Sequence, residues 1–244
     1  MTINVLINGA FGRMGQMTTD AISQHPGLTL VGQTGRDFDL RQAIQDAKAD
    51  VVIDFTEASV IYKNALTIIE AGARPVIGTS GLKPDEVKKL QARCAELKRG
   101  GIIAPNFSLG AVLMMKYAKA IAHYFPHVEI IEMHHDGKQD SPSGTALRTA
   151  ELLAEANPNL NHPEKLSLET IKGARGANHH NVPIHAIRLP GLLAHQTVMF
   201  GGTGEAISIR HDSLDRQCFM PGVCLATEKV MHLDTLIYGL EDIL

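Results

Sequence analysis

Cysteine is scarce in this sequence of 244 residues. The three cysteines, Cys94, Cys218 and Cys224, are odd in number and match neither a CxxC pair nor the spacing of a zinc ribbon. The pattern therefore gives no support for a disulfide framework or a structural zinc site, and we expect three buried thiols.

The sequence also lacks a charge surplus and a long apolar run. With a formal net charge of -3, it has no basic excess to hold a phosphate backbone, so nucleic acid is not an expected partner. No apolar run approaches the roughly 18 residues of a membrane span, and the first residues, MTINVLINGA, enter an apolar strand without a charged leader. We therefore expect a soluble globular protein of the cytoplasm, with no membrane partner and room for one large domain or two modest ones.

Apolar runs typical of strands alternate with helical segments over the first hundred residues. This alternation predicts a parallel sheet covered by helices on both faces, which is a Rossmann-type α/β fold. The predicted strands are Ile3–Asn8, Leu28–Gly32, Val51–Phe55, Pro75–Gly78 and Gly101–Ala104, and the predicted helices are Gly12–Gln24, Ala58–Ala71 and Pro84–Lys98.

The pattern changes after about Ser108. Several strand candidates then follow one another without a long helix between them, which predicts an α+β domain with a mixed, largely antiparallel sheet. We therefore expect a dinucleotide-binding domain at residues 1–108, completed by a helical segment at 215–244, and a second domain at 109–214. Its predicted elements are helix Ala111–Tyr124, strand Val128–Met133, a helix from Ser143, and strands Leu166–Ile171, Ile184–Leu189, His195–Phe200 and Ala206–His211.

A glycine-rich turn follows the first strand. Gly9, Gly12 and Gly15 give the spacing GxxGxxG, with Phe11 where the commoner fingerprint has its second glycine. Such a turn lets the backbone approach a pyrophosphate, whose charge the N-H groups of the following helix attract. It predicts a dinucleotide site, although tight helix packing alone would also require glycines.

The second strand ends without the acidic residue that binds the ribose hydroxyls of NAD. Gly35 and Arg36 come first, and Arg36 can pair with a 2'-phosphate, stack on adenine, or lie in solvent. We therefore expect NADPH or NADH as cofactor, with NADPH favoured. Two later strand ends, Gly78-Thr79-Ser80 and Ala104-Pro105-Asn106-Phe107, lie where a doubly wound sheet meets its cofactor.

The stretch EMHHDGKQDSPSGTA, residues 132–146, concentrates ionisable groups at the end of a predicted strand. Adjacent side chains on a strand point to opposite sides, so His134 and His135 are poorly placed to bind one metal. Further ligands would have to come from Asp136, Asp140, His179 or His180, at no recognised spacing, and no metal is expected.

A nucleophile is not indicated either, because Ser143 lies outside a GxSxG context and a serine before a helix is usually a cap. His134 or His135 has the pKa range for proton transfer, and Lys138 can donate a proton or bind a carboxylate. The turn Ser141–Thr145 opens a helix whose first N-H groups form an anion site. The stretch therefore predicts a site for a small dianionic acid.

These residues resemble the dihydrodipicolinate reductase family, also named 4-hydroxy-tetrahydrodipicolinate reductases. The family signature E-x-H-H-x-x-K-x-D-x-P-S-G-T-A matches from Glu132 to Ala146 in register. The similarity extends to Gly9–Gly15, Asp54-Phe-Thr56, Gly78–Ser80, Asn106–Ser108 and Gly204-Glu205, so it spans nearly the whole chain.

The resemblance implies an NAD(P)H-dependent reductase of the diaminopimelate route to lysine, with a middle domain whose sheet assembles a homotetramer. It implies His134 as the main proton donor or acceptor and Lys138 as a second proton donor. Phe11 and Gly35 depart from the family pattern in the cofactor subsite. The implied substrate contacts are His135, Gly144 and Thr145, and the implied cofactor contacts are Gly9, Ala10, Phe11, Gly12, Arg13, Met14, Arg36, Gly78, Thr79, Ser80, Ala104, Pro105, Asn106 and Phe107.

Two other functions compete with this interpretation. One is a two-domain dehydrogenase that acts on a different small acid. The other is a non-catalytic NAD(P)-sensing module, which needs the glycine turn but has no use for His134 and Lys138.

Overall fold

The computed structural model describes residues 2–161, 168–241 and 243–244, and the chain divides into two compact units. Unit 1 comprises Met1–Leu109 and Gln217–Leu244, and unit 2 comprises Gly110–Arg216. Unit 2 is thus inserted into unit 1 along the chain. Within the described residues, no helix combines the length and the apolar character that crossing a membrane requires.

Unit 1 contains a six-stranded sheet in the order β11-β5-β4-β3-β1-β2, in which every pairing is parallel. The central strands are buried on both faces, as parallel strands between helices must be, and this confirms the predicted Rossmann-type fold. The strands are β1 (Ile3–Asn8), β2 (Leu28–Thr34), β3 (Val51–Asp54), β4 (Arg74–Ile77), β5 (Gly101–Ile103) and β11 (Leu236–Tyr238), and the helices are α1 (Arg13–Gln24), α2 (Leu40–Ala47), α3 (Ile61–Ala71), α4 (Pro84–Glu96) and α7 (Met220–Lys229).

Two elements of unit 1 are absent from the sequence prediction. Helix α2 is short and polar, and its start is fixed by the Asp39 side chain, which accepts a hydrogen bond from the Gln42 backbone N-H. Strand β11 has three residues and pairs in parallel with β5, so the C-terminal segment is not only helical. Helix α7 packs on α1, where the Thr18 hydroxyl contacts the Met220 sulfur at 3.8 Å.

Unit 2 contains a five-stranded sheet in the order β10-β9-β6-β8-β7. The β6/β8 pairing is parallel and the other three are antiparallel, which confirms the predicted mixed sheet. One face is covered by α6, since Gln196 of β9 donates to the Thr149 hydroxyl of that helix at 2.7 Å. The elements are α5 (Leu109–Ala122), β6 (His127–His134), α6 (Gly144–Ala156), β7 (Ala177–His179), β8 (Val182–Arg188), β9 (Ala194–Gly202) and β10 (Glu205–Ser213).

The predicted strand Leu166–Ile171 is wrong in its described part. Residues 168–171 are not strand, and residues 166 and 167 lie outside the described residues. Leu168 and Ile171 are largely exposed, so these apolar side chains do not enter the core of the chain. The edge strand beside β8 is β7, which follows residue 171 in the sequence and pairs with β8 in an antiparallel manner.

Candidate active site

The glycine turn of unit 1 is compact because its backbone packs against itself. Gly9 has a φ of +83°, and a Cβ there would lie 2.5 Å from the Phe55 carbonyl oxygen. A Cβ on Gly15 would lie 2.2 Å from the Gly9 carbonyl oxygen, so helix α1 could not approach the turn. Packing therefore requires glycine at both positions.

Gly12 differs from these two glycines. Of the atoms in the described part of the chain, a Cβ at this position would meet only the Gly9 carbonyl oxygen, at an ordinary 3.5 Å, so packing there does not demand glycine. Gly12 is the N-cap of α1, has no side-chain cap within the described turn, and lines a cavity. The missing side chain thus leaves room beside the helix N-terminus, where a pyrophosphate is attracted.

Two cavities open along the carboxyl edge of the unit 1 sheet, and both are lined by Thr56 and Glu57. The larger has a volume of about 710 Å³ and the smaller about 390 Å³. The larger includes the predicted residues Gly9 and Arg36, whereas the smaller includes Gly12, Arg13, Met14, Gly78, Thr79 and Ser80.

Asp54 connects the strand ends that border both cavities. Its side chain is fully buried, and its carboxylate accepts hydrogen bonds from neutral groups. Asn8 and Asn64 donate to one oxygen at 2.7 and 3.1 Å. The other oxygen accepts from the backbone and the hydroxyl of Thr56 and from the Thr79 hydroxyl, at 2.6 to 3.0 Å. One carboxylate therefore fixes the ends of β1, β3 and β4.

Gly35 lies against an aromatic pair at the end of β2. Phe11 and Phe38 stack with ring centroids 6.0 Å apart, and both rings are more than half exposed. A Cβ on Gly35 would lie 3.0 Å from the Phe11 ring, so the two departures from the family pattern are in contact. Arg36 is largely exposed, 3.8 Å from the Glu57 carboxylate.

The other predicted cofactor residues follow β4 and β5. Gly78 is enclosed by Phe55 and Phe107, whose rings pack edge to face at 5.7 Å. Ala104 and Phe107 are buried, and the Asn106 side-chain oxygen accepts from the Ser108 backbone N-H at 2.8 Å. Residues 10, 11 and 104–107 lie outside the described linings of the two cavities.

In unit 2, the end of β6 places a buried carboxylate beside the first histidine. Glu132 and His134 lie on one face of the strand because side chains alternate, and His134 Nδ1 is 2.6 Å from Glu132 Oε2. Arg188 binds both Glu132 oxygens at 2.8 Å. Burial alone would raise the pKa of Glu132, but the hydrogen bonds from His134 and Arg188 outweigh it and lower the pKa to about 2.

Lys138 lies four residues beyond His134, on the turn that leaves β6. Its Nζ contacts both carboxylate oxygens of Asp140, at 2.6 and 2.7 Å. The hydrogen bond from Lys138 lowers the pKa of the exposed Asp140. His135 is partly exposed on the same turn.

The predicted anion turn forms the start of α6. Ser143 is the N-cap, and its side chain accepts from the Ala146 backbone N-H at 3.2 Å, which confirms its role as a cap. The Ser143 N-H donates to Glu132 at 3.1 Å, so this helix start is tied to the end of β6. Gly144 is exposed, and no atom of the described residues outside its own helix turn lies within 4 Å of a Cβ built on it; Thr145 is partly exposed.

The sequence predicts neither a metal site nor a catalytic cysteine, and the relevant side chains lie as follows. Among the described residues, no three His, Cys, Asp or Glu side chains converge as metal ligands. All three cysteines are free; Cys94 and Cys224 are buried, whereas Cys218 is partly exposed and departs from the expectation. Burial raises the pKa of Cys94 to about 11, which keeps it a thiol.

Several residues of these sites escape the sequence analysis. Arg188 is 56 residues from Glu132, and only the parallel pairing of β6 with β8 places it opposite His134. Arg41 and Lys63 line the larger cavity from α2 and α3, where they resemble ordinary helix-surface cations in the sequence. Asp54 was noted only through the Asp54-Phe-Thr56 match with the family, and it is the last residue of the buried strand β3.

The doubly wound sheet with its glycine turn defines a class, the reductases and dehydrogenases that bind a nicotinamide dinucleotide. Family profiles described as the N-terminus and the C-terminus of dihydrodipicolinate reductase match residues 3–107 and 110–244. The chain belongs to the dihydrodipicolinate reductase family.

Relatives match over the full length. Enzymes named 4-hydroxy-tetrahydrodipicolinate reductase from Coxiella burnetii and Legionella pneumophila are 53% and 50% identical, and each alignment covers 100% of both chains. The solved structure of dipicolinate-bound dihydrodipicolinate reductase from Paenisporosarcina sp. TG-14 is 40% identical, with a TM-score of 0.92 and 100% of both chains covered.

Proposed function

We propose that this chain reduces 4-hydroxy-2,3,4,5-tetrahydrodipicolinate to tetrahydrodipicolinate with NAD(P)H and loss of water, in the diaminopimelate route to lysine. The observation that carries the proposal is the end of β6, where buried Glu132 contacts His134 at 2.6 Å and Lys138 follows on the same turn. Full-length relatives that bear the name of this activity support it. A module that only senses NAD(P) would have no use for these proton donors.

His134 and Lys138 are the proposed catalytic residues. The nicotinamide, when bound, supplies a hydride to C4 of the ring after the hydroxyl has left as water. Electron density moves onto the conjugated imine, and His134 delivers the proton that balances the hydride, with Lys138 as the second donor. Both side chains are only partly exposed, which limits competition from water.

The substrate is a small dicarboxylate, and unit 2 offers two kinds of anion contact. Lys138 supplies a positive charge, and Gly144 and Thr145 lie in the first turn of α6, whose N-terminus attracts a carboxylate. We assign His135, Gly144 and Thr145 to substrate binding. The Paenisporosarcina relative binds dipicolinate, which is also a dicarboxylate, and this supports a small dicarboxylate as the substrate.

Unit 1 is the proposed cofactor-binding domain. The space at Gly12 fits a pyrophosphate, and Arg13, Met14 and Gly78–Ser80 line the adjoining cavity. We also assign Gly9, Ala10 and Phe11 of the glycine turn to this site, together with Arg36. The segment Ala104-Pro105-Asn106-Phe107 completes it, although these residues lie outside the described cavity linings.

NADPH is the proposed preferred cofactor, with NADH also accepted. Arg36, Arg41 and Lys63 line the larger cavity and provide positive charge for a 2'-phosphate. Position 35 is a glycine and so lacks the acidic side chain that would bind the ribose hydroxyls of NAD.

The proposed assembly is a homotetramer formed through the sheet of unit 2. The face opposite α6 carries Ile187 and Met199, which are 37% and 43% exposed. Both side chains are apolar and exposed on the same face of the sheet, which supports an interface there. We place the enzyme in the cytoplasm and propose no nucleic-acid, membrane or metal partner.

The decisive experiment is coupled turnover with freshly generated 4-hydroxy-tetrahydrodipicolinate and either cofactor. His134→Ala and Lys138→Ala should each lower kcat by about 100-fold or more, with cofactor Kd unchanged, because a general acid contributes about that much. KM should be lower for NADPH than for NADH. Unaltered kcat in both variants would contradict the proposed mechanism, and turnover only with some other acid would favour a different dehydrogenase.

A further inference from the structure

Glu132 stands at the centre of a hydrogen-bond network in unit 2. Its side chain is fully buried, and each carboxylate oxygen accepts two hydrogen bonds. Oε1 accepts from Arg188 Nη2 at 2.8 Å and from the Ser143 N-H at 3.1 Å. Oε2 accepts from Arg188 Nη1 at 2.8 Å and is 2.6 Å from His134 Nδ1. No acceptor position is left for water or substrate.

This network determines which nitrogen of His134 carries hydrogen. An ionised carboxylate can only accept, and the low pKa of Glu132 keeps it ionised at neutral pH. Nδ1 must therefore be the donor. The other nitrogen, Nε2, then carries the lone pair in the neutral ring and the transferable proton in the charged ring.

Arg188 connects the same carboxylate to the turn that bears Lys138. Besides its two bonds to Glu132, Nη2 donates to the Asp140 backbone carbonyl at 2.7 Å. The Asp140 carboxylate in turn holds the Lys138 ammonium. The planar guanidinium can make these contacts together, which a lysine ammonium on a flexible stem cannot reproduce. The two proposed proton donors are thus joined through Glu132 and Arg188.

We infer that Glu132 and Arg188 are positioning residues for this reaction: Glu132 holds His134 as the Nδ1-H tautomer with Nε2 free for proton transfer, and Arg188 fixes both Glu132 and the Lys138 turn. The inference rests on the proposed roles of His134 and Lys138. Neither positioning residue needs to touch the substrate, because each acts through a proton donor.

The first test needs no substitution and no turnover. Full-length protein labelled with ¹⁵N-histidine is studied by long-range ¹H-¹⁵N correlation at a pH at which the His134 ring is neutral. His134 should be present as the Nδ1-H tautomer, and the spectrum of His134→Asn assigns its signal. An Nε2-H tautomer in the wild-type protein would overturn the inference. Because this readout is independent of activity, it separates failure of the positioning role from failure of the proposed reaction.

Kinetics of Glu132→Gln and Arg188→Lys provide the second test. Glu132→Gln should mix the His134 tautomers and lower kcat by about 100-fold, with substrate KM changed less than about threefold, because only proton delivery is impaired. Arg188→Lys should raise the substrate KM at least about tenfold, because the Lys138 turn is released. Cofactor Kd should be unchanged in both variants.

Gln196→Met is the matched control. Gln196 is buried and paired with Glu132 across β6 and β9, but its hydrogen bond goes to Thr149 of α6. This variant should keep the tautomer and keep kcat within about twofold. An equal loss of kcat in Gln196→Met and Glu132→Gln would show general damage to the sheet and would overturn the positioning role.

Discussion

Asp54 in unit 1 and Glu132 in unit 2 are both fully buried carboxylates near the carboxyl end of a central strand. Asp54 accepts hydrogen bonds from amide, hydroxyl and backbone N-H groups. Glu132 is instead paired with the Arg188 guanidinium and the His134 imidazole. Neutral dipoles can hold a buried charge without creating a site for proton exchange, whereas a histidine partner links the charge to proton transfer.

The contrast matches the proposed chemistry of the two units. A cofactor site needs fixed strand ends, and Asp54 connects Asn8, Thr56 and Thr79 without a titrating partner. The reduction site needs one histidine nitrogen to be free, and Glu132 engages the other. The type of partner, and not the burial itself, distinguishes the structural carboxylate from the one that we propose to be linked to catalysis.

The largest expected effect comes from leaving Glu132 without its cation. Arg188→Met should lower the free energy of unfolding by about 3–5 kcal/mol, the usual result when one partner of a buried ion pair is removed. Urea unfolding measures the change. Arg210→Met is the matched control, because Arg210 pairs with Asp212 at an exposed position and should contribute less than about 1 kcal/mol. Equal losses in both variants would remove the distinction that we draw for Glu132.

The second-largest expected effect is the loss of unfolding free energy when acid protonates Glu132. Its pKa lies below the ordinary 4.5, at about 2, so its contribution is complete above pH 4.5 and is lost as the pH falls toward 2. The shift corresponds to about 3 kcal/mol. Denaturant unfolding at a series of pH values should therefore show a shallower acid dependence in Glu132→Gln than in the wild type. Parallel curves would mean that Glu132 gains no stability from being ionised.

The smallest effect should follow the loss of one neutral donor to Asp54. Asn64 donates at 3.1 Å to a carboxylate that keeps its other donors, so Asn64→Leu should cost about 1.5–3 kcal/mol. The control is Gln42→Leu, which removes an exposed amide-carboxylate contact within α2 and should cost less than about 0.5 kcal/mol. Urea unfolding compares the two variants. A loss for Asn64→Leu as large as that for Arg188→Met would contradict the contrast between the carboxylates.

The sequence predicts the features that form within one continuous segment of the chain. Strand β6 and the cap of α6 lie in one continuous segment, and the glycine turn follows β1 directly, so their patterns are visible without the fold. Arg188 could not be predicted because its role depends on a parallel pairing between β6 and β8, which are separated by α6 and β7. Strands β7 and β11 escaped because three residues are too few to show a period. Helix α2 was missed although apolar residues recur at helical spacing within Leu40–Ala47, directly after the capping residue Asp39.

The position of β11 has a consequence for synthesis. It follows unit 2 in the chain, yet it pairs with β5, which precedes unit 2. As the chain leaves the ribosome, β5 keeps one unpaired edge until all of unit 2 has been made. Unit 2 is continuous and can fold as it emerges, so unit 1 begins first but is completed last. The insertion thus exposes a sheet edge in every nascent chain, at the stage when such edges are most prone to aggregation.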